Sequence, residues 1–212
     1  MNKQILALAG VGSAIVLLIV IITSFSGENK PSDAESQINA SDMSGHHGSE
    51  VTNEEKFQSL IGEEAPDFTL ESYERGQVNL KDLRGKKVVL FFTEGLMCYP
   101  SCWNQMAAFA KDSAFDNKDT VTLSITVDRK EDWRQAVEKM PELSRAIVLF
   151  DTNRQVSGEY GVLSLSSSMH KGQFPGHTYL IIDKKGVVRF IKDDPQMGIR
   201  NDELKSELEK LE

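Results

Sequence analysis

The sequence predicts an α/β fold, a central mixed sheet flanked by helices, preceded by one N-terminal transmembrane helix. Two patterns point to it. From Phe57 onward, apolar runs of strand length alternate with apolar residues at helical spacing, as in βαβ units wrapped around a sheet. Before that, Gln4 to Gly27 carry no charge and Ile5 to Ile22 are almost wholly aliphatic. At 1.5 Å rise per residue that stretch spans roughly 27 Å, close to a bilayer's hydrocarbon core.

Residues 1–27 are therefore read as a membrane anchor. A cleaved signal peptide is the competing reading, because Ser24 and Ser26 put small residues before Gly27. The apolar core from Ile5 to Ile22 exceeds the usual ~7–15 residues of a signal peptide, which favours an uncleaved span. Lys3 lies on the short side, while Glu28, Asp33 and Glu35 outnumber Lys30 beyond the span. This places the N-terminus inside and the domain on the extracytoplasmic side of a cell membrane, in single-pass topology, where disulfides persist.

Residues 28–56 are rich in Ser, Asn, Glu and Gly and almost empty of large apolar side chains, so they read as a disordered polar tether. Within it Met43, His46 and His47 offer ligands that could hold copper loosely, or are simply part of a solvated linker. Residues 57–212 carry the folding signal and are the size of one ordinary domain. A net charge of −8 and a pI near 5.1, with no Lys/Arg run, argue against a nucleic-acid partner.

Within this domain, "KKVVLFF" (86–92) reads as a buried strand. Trp103, Met106, Ala107 and Ala110 recur at helical spacing, so a helix begins near Pro100. "TVTLSITVD" (120–128) is the next strand. "DWRQAVEKM" (132–140) is a helix with Trp133, Val137 and Met140 on one face, stopped by Pro141. "AIVLFD" (146–151) is a third strand and "NRQVSGEYGV" (153–162) a short helix. "HTYLIID" and "VVRFI" (177–191) are two strands joined at Lys184, Lys185 and Gly186. Leu204, Leu208 and Leu211 mark a closing amphipathic helix.

Both cysteines lie in "GLMCYPSCWNQM" (95–106), spaced CxxxC. A permanent staple across so short a loop stabilises by only about 2 kcal/mol in the chain-entropy model, against ~4.7 for a 100-residue loop. Redox cycling has better physics: a helix N-terminus presents unpaired N–H groups and a positive dipole end, and thiolate is the reactive form. Residues four apart on a helix bring their Cα atoms to about 6 Å, within disulfide range. Cys98, able to sit at the helix N-cap, is the expected nucleophile. Cys102, one turn in beside Trp103, is the expected resolving thiol. Trp103 is read as a lid or docking face beside the sulfurs, or as plain core. Glu94 is either a surface carboxylate or one that raises the Cys98 pKa or relays a proton.

"GEEAPDFTL" (62–70), "VNLKDLRGKKVVLFF" (78–92), the cysteine at the following turn and "HTYLIIDKKGVVRF" (177–190) together resemble the thioredoxin-like alkyl hydroperoxide reductase/thiol-specific antioxidant (redoxin) family. The resemblance implies a thioredoxin-like fold and either thiol–disulfide exchange with protein partners or reduction of a hydroperoxide, with no cofactor beyond the two sulfurs. In peroxiredoxins a Thr or Ser three residues before the reactive cysteine, with an arginine, orients the peroxide. Here that position is Gly95, with Thr93 and Arg145 as substitutes. Thioredoxin-type enzymes place a cis-proline before the strand resembling "TYLIID"; Gly176 aligns there and Pro175 could form the cis turn. Sco-type copper proteins carry CxxxC and a distant histidine, which implies a copper metallochaperone using Cys98, Cys102 and His177 or His170. The expectation is thus a membrane-anchored redoxin, either enzyme or copper carrier.

Overall fold

The structure is a computed structural model that describes residues 52–211. The expected span at 5–22 and the Met43, His46 and His47 group lie outside the described residues. Among the described residues no helix is long and apolar enough to cross a membrane.

The folded domain starts earlier than its composition suggests. Helix α1, Asn53–Ser59, is opened by Thr52, whose hydroxyl accepts the Glu55 amide while the Glu55 carboxylate accepts the Thr52 amide. The residues assigned to the end of the tether, up to 56, are therefore helical, and α1 is held by burying Phe57.

Seven strands form one sheet in the order β2-β1-β5-β4-β3-β6-β7. They are β1 (Thr69–Ser72), β2 (Gly76–Asn79), β3 (Lys87–Phe92), β4 (Thr120–Thr126), β5 (Val148–Phe150), β6 (Thr178–Ile182) and β7 (Val188–Asp193). The central three, β3, β4 and β5, are parallel; β6 joins β3 antiparallel, with Phe91 opposite Tyr179 and Phe92 opposite Thr178. The mixed sheet flanked by helices is the expected fold. The β1–β2 hairpin is an addition to it, since its burial is shallow and its sequence shows no apolar run.

Alternation along β3 divides the core. Val88, Leu90 and Phe92 face a cluster with Phe57 of α1 and Val156 of α4 (Gln155–Glu159). Val89 and Phe91 face a second cluster. Against that second face pack Met106 and Phe109 of α2 (Ser101–Lys111), Trp133 of α3 (Lys130–Lys139) and Leu204 of α5 (Asn201–Glu209). Both cysteines belong to this second cluster.

Candidate active site

Parallel strands end in loops at one edge of the sheet, and ligand and catalytic sites gather there. After β3 the chain runs through Thr93 and Glu94 into a 3-10 turn, Gly95–Cys98, and then α2. His177 stands at the same edge, directly before β6, because β6 runs antiparallel to β3.

Cys98 and Cys102 form a disulfide with their Cα atoms 5.4 Å apart. The expected pairing distance holds, but not the expected placement of Cys98. The N-cap of α2 is Pro100, so Cys98 ends the preceding turn and Cys102 lies in the first helical turn. Both are buried, Cys98 at 3% exposure and Cys102 at 0%. Met97 and Tyr99, on either side of Cys98, are half exposed and mark the open side of the pair.

The one cis peptide bond among the described residues is Tyr99–Pro100, between the two cysteines, and not the bond before Pro175. Pro175 therefore makes no cis turn. Gly176 leaves no room for a side chain, since a Cβ there would stand 2.1 Å from Ser167 Oγ.

His177 is fully buried. Its Nδ1 lies 3.4 Å from Cys102 Sγ, and its Nε2 is 2.6 Å from the Tyr179 hydroxyl and 3.2 Å from the Gly198 carbonyl. Phe91 packs edge-on against the ring at 4.7 Å and stacks on Tyr179 at 4.9 Å. Burial in this apolar setting disfavours the imidazolium and pushes the His177 pKa down to about 4, against a smaller opposing pull from Asp194.

His170 goes elsewhere. Its Nδ1 is 3.3 Å from Glu94 Oε2, so the histidine beside the sulfurs is His177. Glu94 is fully buried, not a surface carboxylate, and its Oε1 accepts the Met169 amide at 2.6 Å and the His170 amide at 3.2 Å. It ties loop 168–170 to the strand that leads into the cysteines. Trp103 is also fixed, donating its indole N–H to the Gly95 carbonyl at 2.9 Å and meeting Tyr99 edge-on at 5.0 Å. Lys139 of α3 lies over the Tyr99 ring, 3.5 Å from its centroid.

Gly95 has φ +61°, and a Cβ there would come within 1.9 Å of Asp128 Oδ2 and 2.0 Å of Thr126 Oγ1. A hydroxyl-bearing residue does not fit this backbone. Thr93 is buried, with its hydroxyl accepting the Gly95 amide at 3.1 Å. Arg145 precedes β5 and so lies at the opposite edge of the parallel strands, lining a cleft with Ser72 and Arg75. It does not serve the cysteines. The arginine on the His177 side is Arg200, and it is held bidentately by Asp194 at 2.7 Å through each nitrogen.

Sequence reasoning missed Gln105, Tyr179, Gly198 and Asp128. For Gln105 and Tyr179 the only cue was polarity at core positions, Gln105 interrupting the apolar face of α2 and Tyr179 sitting in an aliphatic strand; Gly198 and Asp128 carried no such signal. Cys98 Sγ, Cys102 Sγ and His177 Nδ1 lie within 4.8 Å of one another, the one such trio among the described residues. In this oxidised state the sulfurs are bonded to each other and present no thiolate to a metal.

Fold and site together define a thioredoxin-like protein with a closed two-cysteine centre. The AhpC/TSA family matches residues 61–191, and the chain belongs to that family. It is an enzyme of thiol-dependent peroxidase or thiol oxidoreductase chemistry. It is 32% identical over 153 residues to a putative peroxiredoxin bcp of Haemophilus influenzae, covering 66% of this chain and 93% of the relative. It is 31% identical over 140 residues to peroxiredoxin Bcp of Escherichia coli, covering 63% and 85%. Among solved structures, a reduced 2-Cys peroxiredoxin of Plasmodium vivax superposes with TM-score 0.61 at 24% identity over 71% of this chain and 95% of that one. An Enterococcus faecalis AhpC gives TM-score 0.62 at 19% identity, over 71% and 91%.

Proposed function

We propose that the protein is a membrane-anchored, extracytoplasmic thiol–disulfide oxidoreductase that cycles Cys98 and Cys102 between dithiol and disulfide, exchanging electrons with protein thiols and disulfides. The observation that supports this is the closed Cys98–Cys102 pair with Cα atoms 5.4 Å apart, seated against His177 where the parallel strands end. A pair at that spacing closes and opens with little movement of the backbone. Thiolate attack on a disulfide then needs no group beyond the two sulfurs and a route for the proton.

A second reading, peroxide reduction, draws on the names of the relatives from Haemophilus influenzae and Escherichia coli and on the buried Thr93 hydroxyl, which accepts the Gly95 amide at the start of the turn that ends in Cys98. Against it stands Gly95, where the backbone admits no hydroxyl. Turnover of the purified full-length protein with hydrogen peroxide and with a small disulfide separates the two. Oxidoreductase function predicts measurable disulfide reduction and slow peroxide consumption. A peroxide rate constant like that of efficient peroxiredoxins selects the second reading.

The membrane placement rests on the uncharged apolar stretch Ile5–Ile22 and the acidic flank after it. Cells stripped of their wall and treated with protease should lose the domain while retaining the N-terminal segment in the membrane fraction. A soluble full-length protein, or a mature chain beginning near Gly27, contradicts the anchor.

A further inference from the structure

Hydrogen-bond polarity around His177 can be followed outward from backbone groups, whose roles are invariant. The Arg200 amide can only donate, and it meets Gln105 Oε1 at 2.7 Å. The Ala108 carbonyl can only accept, and it meets Asn201 Nδ2 at 3.2 Å, which turns Asn201 Oδ1 toward Gln105 Nε2 at 2.9 Å. Both anchors orient the Gln105 amide the same way, with Oε1 toward Tyr179. Tyr179 must then donate its proton to Oε1, at 3.0 Å, and its oxygen is left to accept from His177 Nε2 at 2.6 Å. The Gly198 carbonyl can only accept, and it lies 3.2 Å from the same nitrogen and 3.4 Å from the Tyr179 hydroxyl, so it agrees with a proton on Nε2. In the neutral ring the proton is on Nε2, so the Nδ1 lone pair is bare and faces Cys102 Sγ at 3.4 Å.

From this geometry we infer that His177 Nδ1 is the catalytic base for Cys102, and that Tyr179 and Gln105 are positioning residues that fix its tautomer. This rests on the redox reading above and specifies how the second thiol is activated. Cys102 is wholly buried, and burial alone holds a thiol in its neutral, unreactive form. When Cys98 has opened a partner's disulfide and holds one of its sulfurs, the Cys102 S–H passes its proton to Nδ1. The Cys102 thiolate attacks Cys98 Sγ, the new S–S bond forms, and the partner's sulfur leaves with the electron pair of the broken bond. The partner has gained two electrons and the protein is oxidised. The imidazolium formed keeps its Nε2 proton on the Tyr179 oxygen and the Gly198 carbonyl, and the proton on Nδ1 goes to the leaving thiolate or to water. Asp193 and Asp194 at the end of β7 favour the imidazolium, and Arg200 before α5 opposes it. Burial keeps the ring neutral at rest, which leaves the Nδ1 lone pair open toward Cys102.

The test mixes the reduced full-length protein with 5,5′-dithiobis(2-nitrobenzoate) under single-turnover conditions. A first thiolate release reports attack by Cys98, and a second reports resolution by Cys102. With the base in place, the second phase stays fast and nearly independent of pH around neutrality. In His177→Phe, Cys102 must ionise unaided. A thiol of pKa about 8.5 is then about 3% thiolate at pH 7, so the second phase slows on the order of 30-fold relative to a fully activated thiol and falls tenfold per pH unit on acidification, while the first phase is kept. Tyr179→Phe shows a smaller slowing with the same change in pH profile. An unchanged second phase in His177→Phe overturns the inference alone. Absence of any thiolate release from the wild type overturns the redox reading and the inference with it. The 15N spectrum of the His177 ring in the unaltered protein gives an independent check: a bare Nδ1 is expected, and an Nδ1–H tautomer contradicts the assignment.

Discussion

Asp128 Oδ2 occupies the space that a Cβ on Gly95 would need, 1.9 Å from its ideal position. The same oxygen accepts the Leu96 amide at 2.8 Å and the Thr126 hydroxyl at 2.7 Å, so it has no freedom to withdraw. The end of β4 thereby dictates the backbone of the turn that carries Cys98.

Replacing Gly95 by Thr, to supply the hydroxyl that peroxiredoxins place three residues before the reactive cysteine, should fail to create peroxidase activity. A β-branched residue at φ +61° with this clash should cost at least about 1–3 kcal/mol, read as a drop of several degrees in Tm. A stable Gly95→Thr protein with raised peroxide turnover would contradict the constraint.

Glu94 should act through the loop it holds. Glu94→Ala strips the Met169 and His170 amides of their acceptor and should cost about 2–4 kcal/mol, with faster hydrogen exchange at those two amides. Glu94→Gln keeps one acceptor oxygen and should be milder. Unchanged exchange in Glu94→Ala would show that the carboxylate does not anchor the loop.

Stability of the oxidised protein should fall on mild acidification. The folded-state pKa of His177, about 4, lies below its ordinary value of 6.5. The unfolded chain thus takes up a proton that the folded chain resists. The stabilising contribution is fully present above pH 6.5 and is lost as pH falls toward 4, about 3 kcal/mol across the window. Asp128, whose pKa is raised chiefly by burial, works the other way and is destabilising once ionised. Denaturant midpoints measured from pH 7 to pH 4 should show the loss, and His177→Phe should flatten it. An equal slope in the variant would refute the assignment.

What the sequence disclosed follows the strength of its periodicity. "KVVLFF" shows itself as β3 because a buried central strand admits an unbroken apolar run. The β1–β2 hairpin stays hidden because Glu71, Gln77 and Asn79 on an edge pair have no apolar pattern to display. Helix α1 was obscured by its polar composition, although the capping pair Thr52 and Glu55 was there to be read. At the site, the cysteine pair is legible from spacing alone. His177 was a candidate, but the network behind it is not legible, because Gln105, Tyr179, Gly198 and Arg200 come from three separate segments that only the fold assembles. The cis bond expected before Pro175 from the family resemblance lies before Pro100 instead, a proline that the sequence marks only as a helix start.

The central claim is that Cys98 attacks and Cys102 resolves, and its most direct test is trapping. Cys98 has the partly open side, flanked by Met97 and Tyr99, whereas Cys102 is wholly buried against His177. Each single Cys→Ser variant of the full-length protein is reduced, exposed to a disulfide-bonded substrate protein and resolved by non-reducing electrophoresis and peptide mass analysis. Cys102→Ser should accumulate a mixed disulfide through Cys98, since attack proceeds and resolution cannot, while Cys98→Ser should accumulate none. A mixed disulfide through Cys102 in the Cys98→Ser variant, with none in Cys102→Ser, would contradict the assignment.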